Sequence, residues 1–335
     1  MLQAFGLHTH IEANKRRSII LIAALFALIY ALAYAGGLIY LAMTQPADLR
    51  TMLRDAVQPF LQSAPYVTAG TLVWVLIAWR FNKAIIALAL PAQELQRADA
   101  PDLFNMVETL CVSRGLRTPR IAILETEEPN AFASGVNEDQ YAITFTRGLI
   151  DLLTPEELEA VAAHELTHIR NGDVRMMVVA MIVAGVVTFF AELIFRFVRD
   201  GRGLRLGGGE MSEGSRKDRS RATIAIVFAL FIIGCAWALS LMLRLALSRT
   251  REFLADAGSV ELTKNPDAMI SALRKLEGKG ELPGVPSGLM EMCIANPSAG
   301  FADFFSSHPS IEERVEALTR YAGGRDLQQI MDEMG

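Results

Sequence analysis

Residues 19–43 run without a single charged side chain. A helix over that stretch exceeds the ~20 residues needed to cross a hydrocarbon core of roughly 30 Å, and few water-soluble folds can hide one so long. Lys15, Arg16 and Arg17 stand just before it, which predicts a cytoplasmic N-terminus. Ala33-Tyr34-Ala35 resembles a signal-peptide cleavage site, but the apolar run continues past it, so an uncleaved anchor is expected. Three further apolar stretches follow. Residues 65–79 end at Arg80 and Lys83, which can snorkel, and the run resumes over 84–90. Residues 176–198 carry Glu192 and Arg196 one helical turn apart, and residues 222–243 are uncharged. The linker 44–64 reads as an outside loop. The loop 199–221 is strongly basic, which conflicts with the positive-inside rule if both flanking stretches cross fully.

The balance of the composition agrees. Hydrophobic residues make up 52% and the mean hydropathy is +0.29, yet 21% of residues are charged, so part of the chain must live in water. A net charge of −5 speaks against a nucleic-acid partner. Cys111, Cys235 and Cys293 are too far apart to suggest a disulfide framework or a thiolate metal site. The expected division is residues 1–90 (tail and two membrane helices), 91–173 (soluble), 174–247 (apolar hairpin) and 248–335 (soluble).

Within 91–173, residues 101–115 read as an amphipathic helix and 120–125 as a short strand. Residues 140–146 alternate, with Tyr141, Ile143 and Phe145 on one face, which predicts a half-buried strand at a sheet edge. Thr154-Pro155-Glu156-Glu157 is a helix opening: Thr154 as N-cap, Pro155 at the first turn, Glu157 completing a capping box. Asn171-Gly172 closes the same helix.

That helix carries His164-Glu165-Leu166-Thr167-His168. Residues four apart lie on one helix face, with Cβ atoms about 6 Å apart, so two imidazoles can share one metal ion. Glu165 lies about 100° further round and can act as a general base. A third ligand is needed. In Arg249-Thr250-Arg251-Glu252-Phe253-Leu254-Ala255-Asp256, Glu252 and Asp256 share a face. On spacing alone that segment reads equally well as a ligand with a carboxylate orienting a histidine, or as an ordinary solvated helix. Arg249 could hold either acid or be a juxtamembrane charge. His308, in Ser307-His308-Pro309, could stabilise an oxyanion or simply precede the helix that Ser310 and Glu313 cap.

The set His164-Glu165-x-x-His168, Asn171-Gly172-Asp173, Ser248-Arg249-x-x-Glu252-x-x-x-Asp256, Asn130-Ala131-Phe132-Ala133-Ser134-Gly135 and Ser307-His308-Pro309 resembles the HtpX family of membrane zinc peptidases. It is more distantly similar to the type I CAAX prenyl proteases. The resemblance spans roughly residues 95–318. It implies an α+β membrane protein with about four apolar helices and a mainly helical, zincin-like peptidase domain with a small edge-stranded sheet. It implies one Zn²⁺ per chain on His164, His168 and Glu252, with Glu165 and His308 catalytic and Asp256 and Arg249 supporting. It also implies a substrate-pairing edge that includes Asn130, Ala131, Phe132, Ala133 and Thr144. Implied substrates are membrane or misfolded proteins, cleaved in quality control and stress response at a bacterial inner membrane. The sequence leaves the oligomeric state open.

One expectation needs only connectivity. The histidines precede the apolar hairpin and Glu252 follows it, so if one metal touches all three, the hairpin crosses the bilayer twice or not at all. Either way the site lies on the side of Lys15–Arg17, the cytoplasm. Rival readings are a non-proteolytic zinc scaffold, for which Glu165 would be superfluous, a prenyl-protein processing enzyme, and a transporter, for which four apolar stretches are few.

Overall fold

The computed structural model describes residues 7–45, 47–179, 223–224, 226–236, 238, 249–283, 285, 287–296 and 309–326. Most of the third apolar stretch, the basic loop 199–221, and Ser307 with His308 lie outside the described residues. The chain forms two compact units. One comprises residues 19–78 and 182–244, the other residues 1–18, 79–181 and 245–335.

In the first unit, α1 (Leu7–Thr44), α2 (Leu49–Asp55) and α3 (Val57–Ala89) follow one another almost without interruption. The expected outside loop 44–64 is therefore mostly helical. Asp48 explains the restart, because its side chain accepts from the backbone N–H of Thr51 at 3.2 Å and caps α2. Small residues, Ala35, Ala42, Ala56 and Ala229, join Leu38, Ile39 and Met52 in the buried seam. Its polar groups are satisfied locally: Tyr34 donates to the Leu53 carbonyl at 2.7 Å, and the Tyr30 and Thr68 hydroxyls lie 2.6 Å apart. The other faces are apolar and exposed, including Leu61, Tyr66, Leu72, Val73, Trp74, Leu76 and Ile77. Among the described residues two spans, Ala23–Ala42 and Leu49–Ile77, are long and apolar enough to cross a membrane. Of the fourth expected stretch, Ile226–Ala236 is a shorter apolar helix.

The second unit contains a four-stranded sheet with α4 (Pro101–Val112) and α5 (Arg147–Leu152) beside it. Strands β1 (Gln93–Glu94), β2 (Arg120–Leu124), β3 (Ala131–Ser134) and β4 (Ala142–Thr146) lie in the order β1-β2-β4-β3. β4 pairs parallel with β2 and antiparallel with β3, so it is an inner strand, not an edge. Its alternation suggested one wet face. Instead Ile143 through Thr146 are all buried, because helices cover one side and both neighbouring strands shield the backbone. The edge on this side of the sheet belongs to β3, and β1 forms the other. The β3–β4 turn depends on Gly135 at φ +110°, where a Cβ would lie 2.6 Å from the Gln140 carbonyl oxygen.

Against this sheet lies α6 (Pro155–Asn171), the helix with the paired histidines. Both of its ends are built as the sequence predicts. Thr154 and Glu157 form a reciprocal capping box, and Gly172 takes the left-handed conformation at φ 73°. Ala160, Val161, Ala162 and Ala163 are fully buried, and such small side chains admit neighbours closely. The closest is α7 (Arg249–Thr263). There Gly258 has no room for a Cβ, which would sit 2.4 Å from Thr167 Cγ2 of α6, and the Ser259 hydroxyl donates to the Ala160 carbonyl at 2.6 Å. α8 (Pro266–Leu276) is tied to the start of α6 through Ser271 and Lys275, each 2.6 Å from the Glu157 carboxylate. Among the described residues, a short turn, α9 (Ser287–Met290), and α10 (Ile311–Ala322) follow.

Candidate metal centre

α6 and α7 bring His164, His168 and Glu252 together although 84 residues separate the last two. The histidine Nε2 atoms are 3.1 Å apart, and the Glu252 oxygens lie 3.7 Å from His164 Nε2 and 3.6 Å from His168 Nε2. A four-coordinate ion with ligands at about 2.0–2.1 Å needs ligand atoms about 3.3 Å apart, so the three side chains fit around one ion with little movement. All three are buried, as are Glu165 and Asp256.

Each imidazole is held from behind. His168 Nδ1 lies 2.9 Å from Asp173 Oδ2, and His164 Nδ1 lies 2.9 Å from Asp256 Oδ1. Carboxylates in that position keep the proton on Nδ1 and turn the Nε2 lone pair toward the ion. Asp256 is in turn gripped by Arg314 of α10, whose Nε and Nη2 donate at 2.8 and 2.6 Å. Burial works against ionisation of Asp256, but the Arg314 charge and hydrogen bonds prevail and hold its carboxyl below the usual range. Burial pushes the Glu165 carboxyl up, with the Ala133 backbone N–H among the groups that temper the rise.

The charges give a test of whether a metal belongs here. Four buried carboxylates (Asp173, Glu165, Glu252, Asp256) surround two buried guanidinium groups, Arg251 and Arg314. Buried charge is tolerated only when it is compensated. Two imidazole nitrogens and a carboxylate oxygen converge within 4.8 Å in this buried, carboxylate-rich setting, a donor set that suits a divalent cation.

The remaining predicted residues are placed as follows. Ala133 lines a cavity of about 10 Å³ beside the histidines, room for a single water, roofed by Glu291, Met292, Cys293 and Ile294. Asn130 is fully buried, and its amide is engaged with backbone: Nδ2 donates to the Gly280 and Ala295 carbonyls at 2.7 and 2.8 Å, and Oδ1 accepts from Ala131 and Ala295. The Ile294 N–H donates to the Ala131 carbonyl at 2.9 Å, and Phe132 bridges Cys293 in antiparallel fashion. The chain itself thus occupies the outer side of β3 at Ala131 and Phe132. Thr144 sits opposite Phe132 in the β3–β4 register. Arg249 is exposed at the start of α7, while Arg251 and Arg314 are buried beside Glu252 and Asp256.

Asp173 stood in the sequence pattern Asn171-Gly172-Asp173 without a role, and Arg251 and Arg314 were not picked out from the sequence. A signal for Arg314 exists: it falls on the apolar face of α10 between Ile311, Val315 and Leu318, where an arginine needs a buried partner.

Residues 97–322 match peptidase family M48. The chain belongs to that family. It is 35% identical over 331 residues to a protease HtpX homolog of Bacteroides fragilis, with 96% of this chain and 100% of that one covered. HtpX homologs of Lactobacillus acidophilus and Streptococcus gordonii are 34% and 33% identical, covering 93% and 94% of this chain and 99% of each relative. A crystal structure of S. mikatae Ste24p aligns at 19% identity with a TM-score of 0.47, over 88% of this chain and 65% of that one. Membership of the M48 family stands on the sequence matches. The protein is accordingly a metallopeptidase acting on peptides or proteins.

Proposed function

We propose that this M48 peptidase is a zinc-dependent endopeptidase anchored in a membrane, with its site facing the cytoplasm. The observation that carries this reading is the convergence of His164, His168 and Glu252, whose ligand atoms all lie within 4.8 Å of one another beside Glu165. Two nitrogens and one carboxylate, with a position left open, are a donor set suited to catalytic zinc. When bound, zinc would polarise the scissile carbonyl and make water a better nucleophile.

The chain's own groups would do the rest. His164, His168 and Glu252 hold the ion, with Asp256 and Asp173 fixing the histidine tautomers. The Glu165 carboxylate accepts the proton of the attacking water and returns it to the leaving nitrogen. A carboxyl pushed upward by burial suits a group that must both take and give a proton. Backbone groups alternate along a strand, and Ala131 points outward to Ile294, so Ala133 also points outward. We assign it the first pairing position for an extended substrate.

The exposed apolar faces of α1 and α3 support bilayer anchoring, and Lys15–Arg17 with the connectivity of the ligands support a cytoplasmic site. The reading extends to a bacterial inner membrane and to membrane or misfolded protein substrates, as the resemblance to HtpX proteases implies. The test uses the purified full chain in detergent. Glu165→Gln should keep its metal and lose cleavage of an unfolded protein. Wild-type cleavage by that variant would sink the assignment.

A further inference from the structure

We propose that Arg314 is a positioning residue of the metal centre, acting through Asp256 on His164. The inference rests on the reading of His164 as a ligand. Arg314, Asp256 and His164 are 1–2% exposed or less, so no water can substitute for any of them. The guanidinium binds both carboxylate oxygens of Asp256, and Oδ1 also lies 2.9 Å from His164 Nδ1. A two-pronged grip fixes the plane of the carboxylate as well as its position. That plane sets where Oδ1 stands, and Oδ1 sets the rotation of the imidazole whose Nε2 faces Glu252. Arg314 also lies 3.9 Å from Glu252 Oε2, and its Nη1 donates to the Ile294 carbonyl at 3.4 Å.

The experiment compares Zn²⁺ affinity by chelator competition in wild type, Arg314→Lys, Asp256→Asn and the Asp256→Asn/Arg314→Met pair, each full length in detergent. Thermal unfolding of the metal-free proteins is measured in parallel. Arg314→Lys keeps the charge but not the fork, so affinity should fall about 10-fold, the lower end for groups that support a ligand from behind. Asp256→Asn should lose more, and the paired variant should match Asp256→Asn alone, because both act along one chain of contacts. The paired variant leaves no unmatched buried charge, so it tests the idea even if a single change fails to fold. A purely structural ion pair would lower the metal-free unfolding temperature and leave affinity within twofold of wild type. That result in Arg314→Lys, or in the paired variant, would overturn the proposal. A wild-type protein that binds no zinc would instead overturn the metal reading beneath it.

Discussion

The two compact units invert one another. The unit bearing the metal centre buries charged side chains, Glu165, Glu252, Asp256 and Arg314 among them, while the other buries alanines and leaves Leu72, Trp74 and Leu76 on its surface. A water-soluble protein hides large apolar groups and exposes charge. Each unit departs from that rule in its own direction, and each departure has a cause. Charge is tolerable inside when it is paired and completed by an ion. Apolar surface is tolerable outside when the surroundings are lipid. On the proposed reading, the same chain answers to two different solvents.

The comparison can be broken at several points. The largest effect is expected at Glu252→Ala. It removes a proposed ligand and the carboxylate 3.4 Å from Arg251 Nε, so loss of bound metal and about 3–5 kcal/mol of stability are expected. Metal analysis and unfolding of the purified variant check both; retained stoichiometric zinc would contradict the ligand set. Next is Leu72→Lys on the exposed apolar face. A charge at the centre of a membrane span costs roughly 2.5–3.5 kcal/mol, whereas the same change on a wet surface costs about nothing. Reduced membrane integration, followed by alkaline extraction, supports lipid contact; unchanged behaviour counts against it. Gly258→Ala should then cost about 1–3 kcal/mol, because the new Cβ meets Thr167 and wedges α7 away from α6. Zinc affinity should fall with it, since Glu252 rides on the same helix.

The smallest effect is expected at Glu157→Gln, about 1 kcal/mol. Burial opposes ionisation of Glu157, but hydrogen bonds from Lys275, Ser271 and Thr154 hold its pKa below the ordinary glutamate value. Its added stability is thus present above about pH 4.3, the unperturbed value, and is lost as pH falls through the lower folded value. Wild type and variant should differ in unfolding temperature at pH 7 and converge in acid. A gap independent of pH would show that the carboxylate charge is not the cause.

What could be read from the sequence was what is decided locally. The start and stop of α6 depend on neighbours within four residues, as does the shared face of His164 and His168, so both were legible. The place of β4 was not. Its alternation describes one strand, while its inner position depends on partners at Arg120–Leu124 and Ala131–Ser134 chosen by the whole sheet. The capping of α10 by Ser310 and Glu313 was legible for the same local reason as α6. The partner of Arg314 was not, because Asp256 lies 58 residues earlier. Asn130 makes the point most sharply: its place beside Ala131 and Phe132 suggested substrate contact, yet its amide reaches 165 residues ahead to Ala295.

The separation of the histidines from Glu252 has a consequence in time. A ribosome adds about 5–20 residues per second, so the 84 residues after His168 take several seconds to make. During that interval α6 exists with two imidazoles and Glu165 but without Glu252, and Arg314 is further still from emerging. Residues 169–251 are all made before the proposed third ligand emerges. The proposed centre therefore cannot be assembled in a growing chain until α10 has been made and has closed behind Asp256.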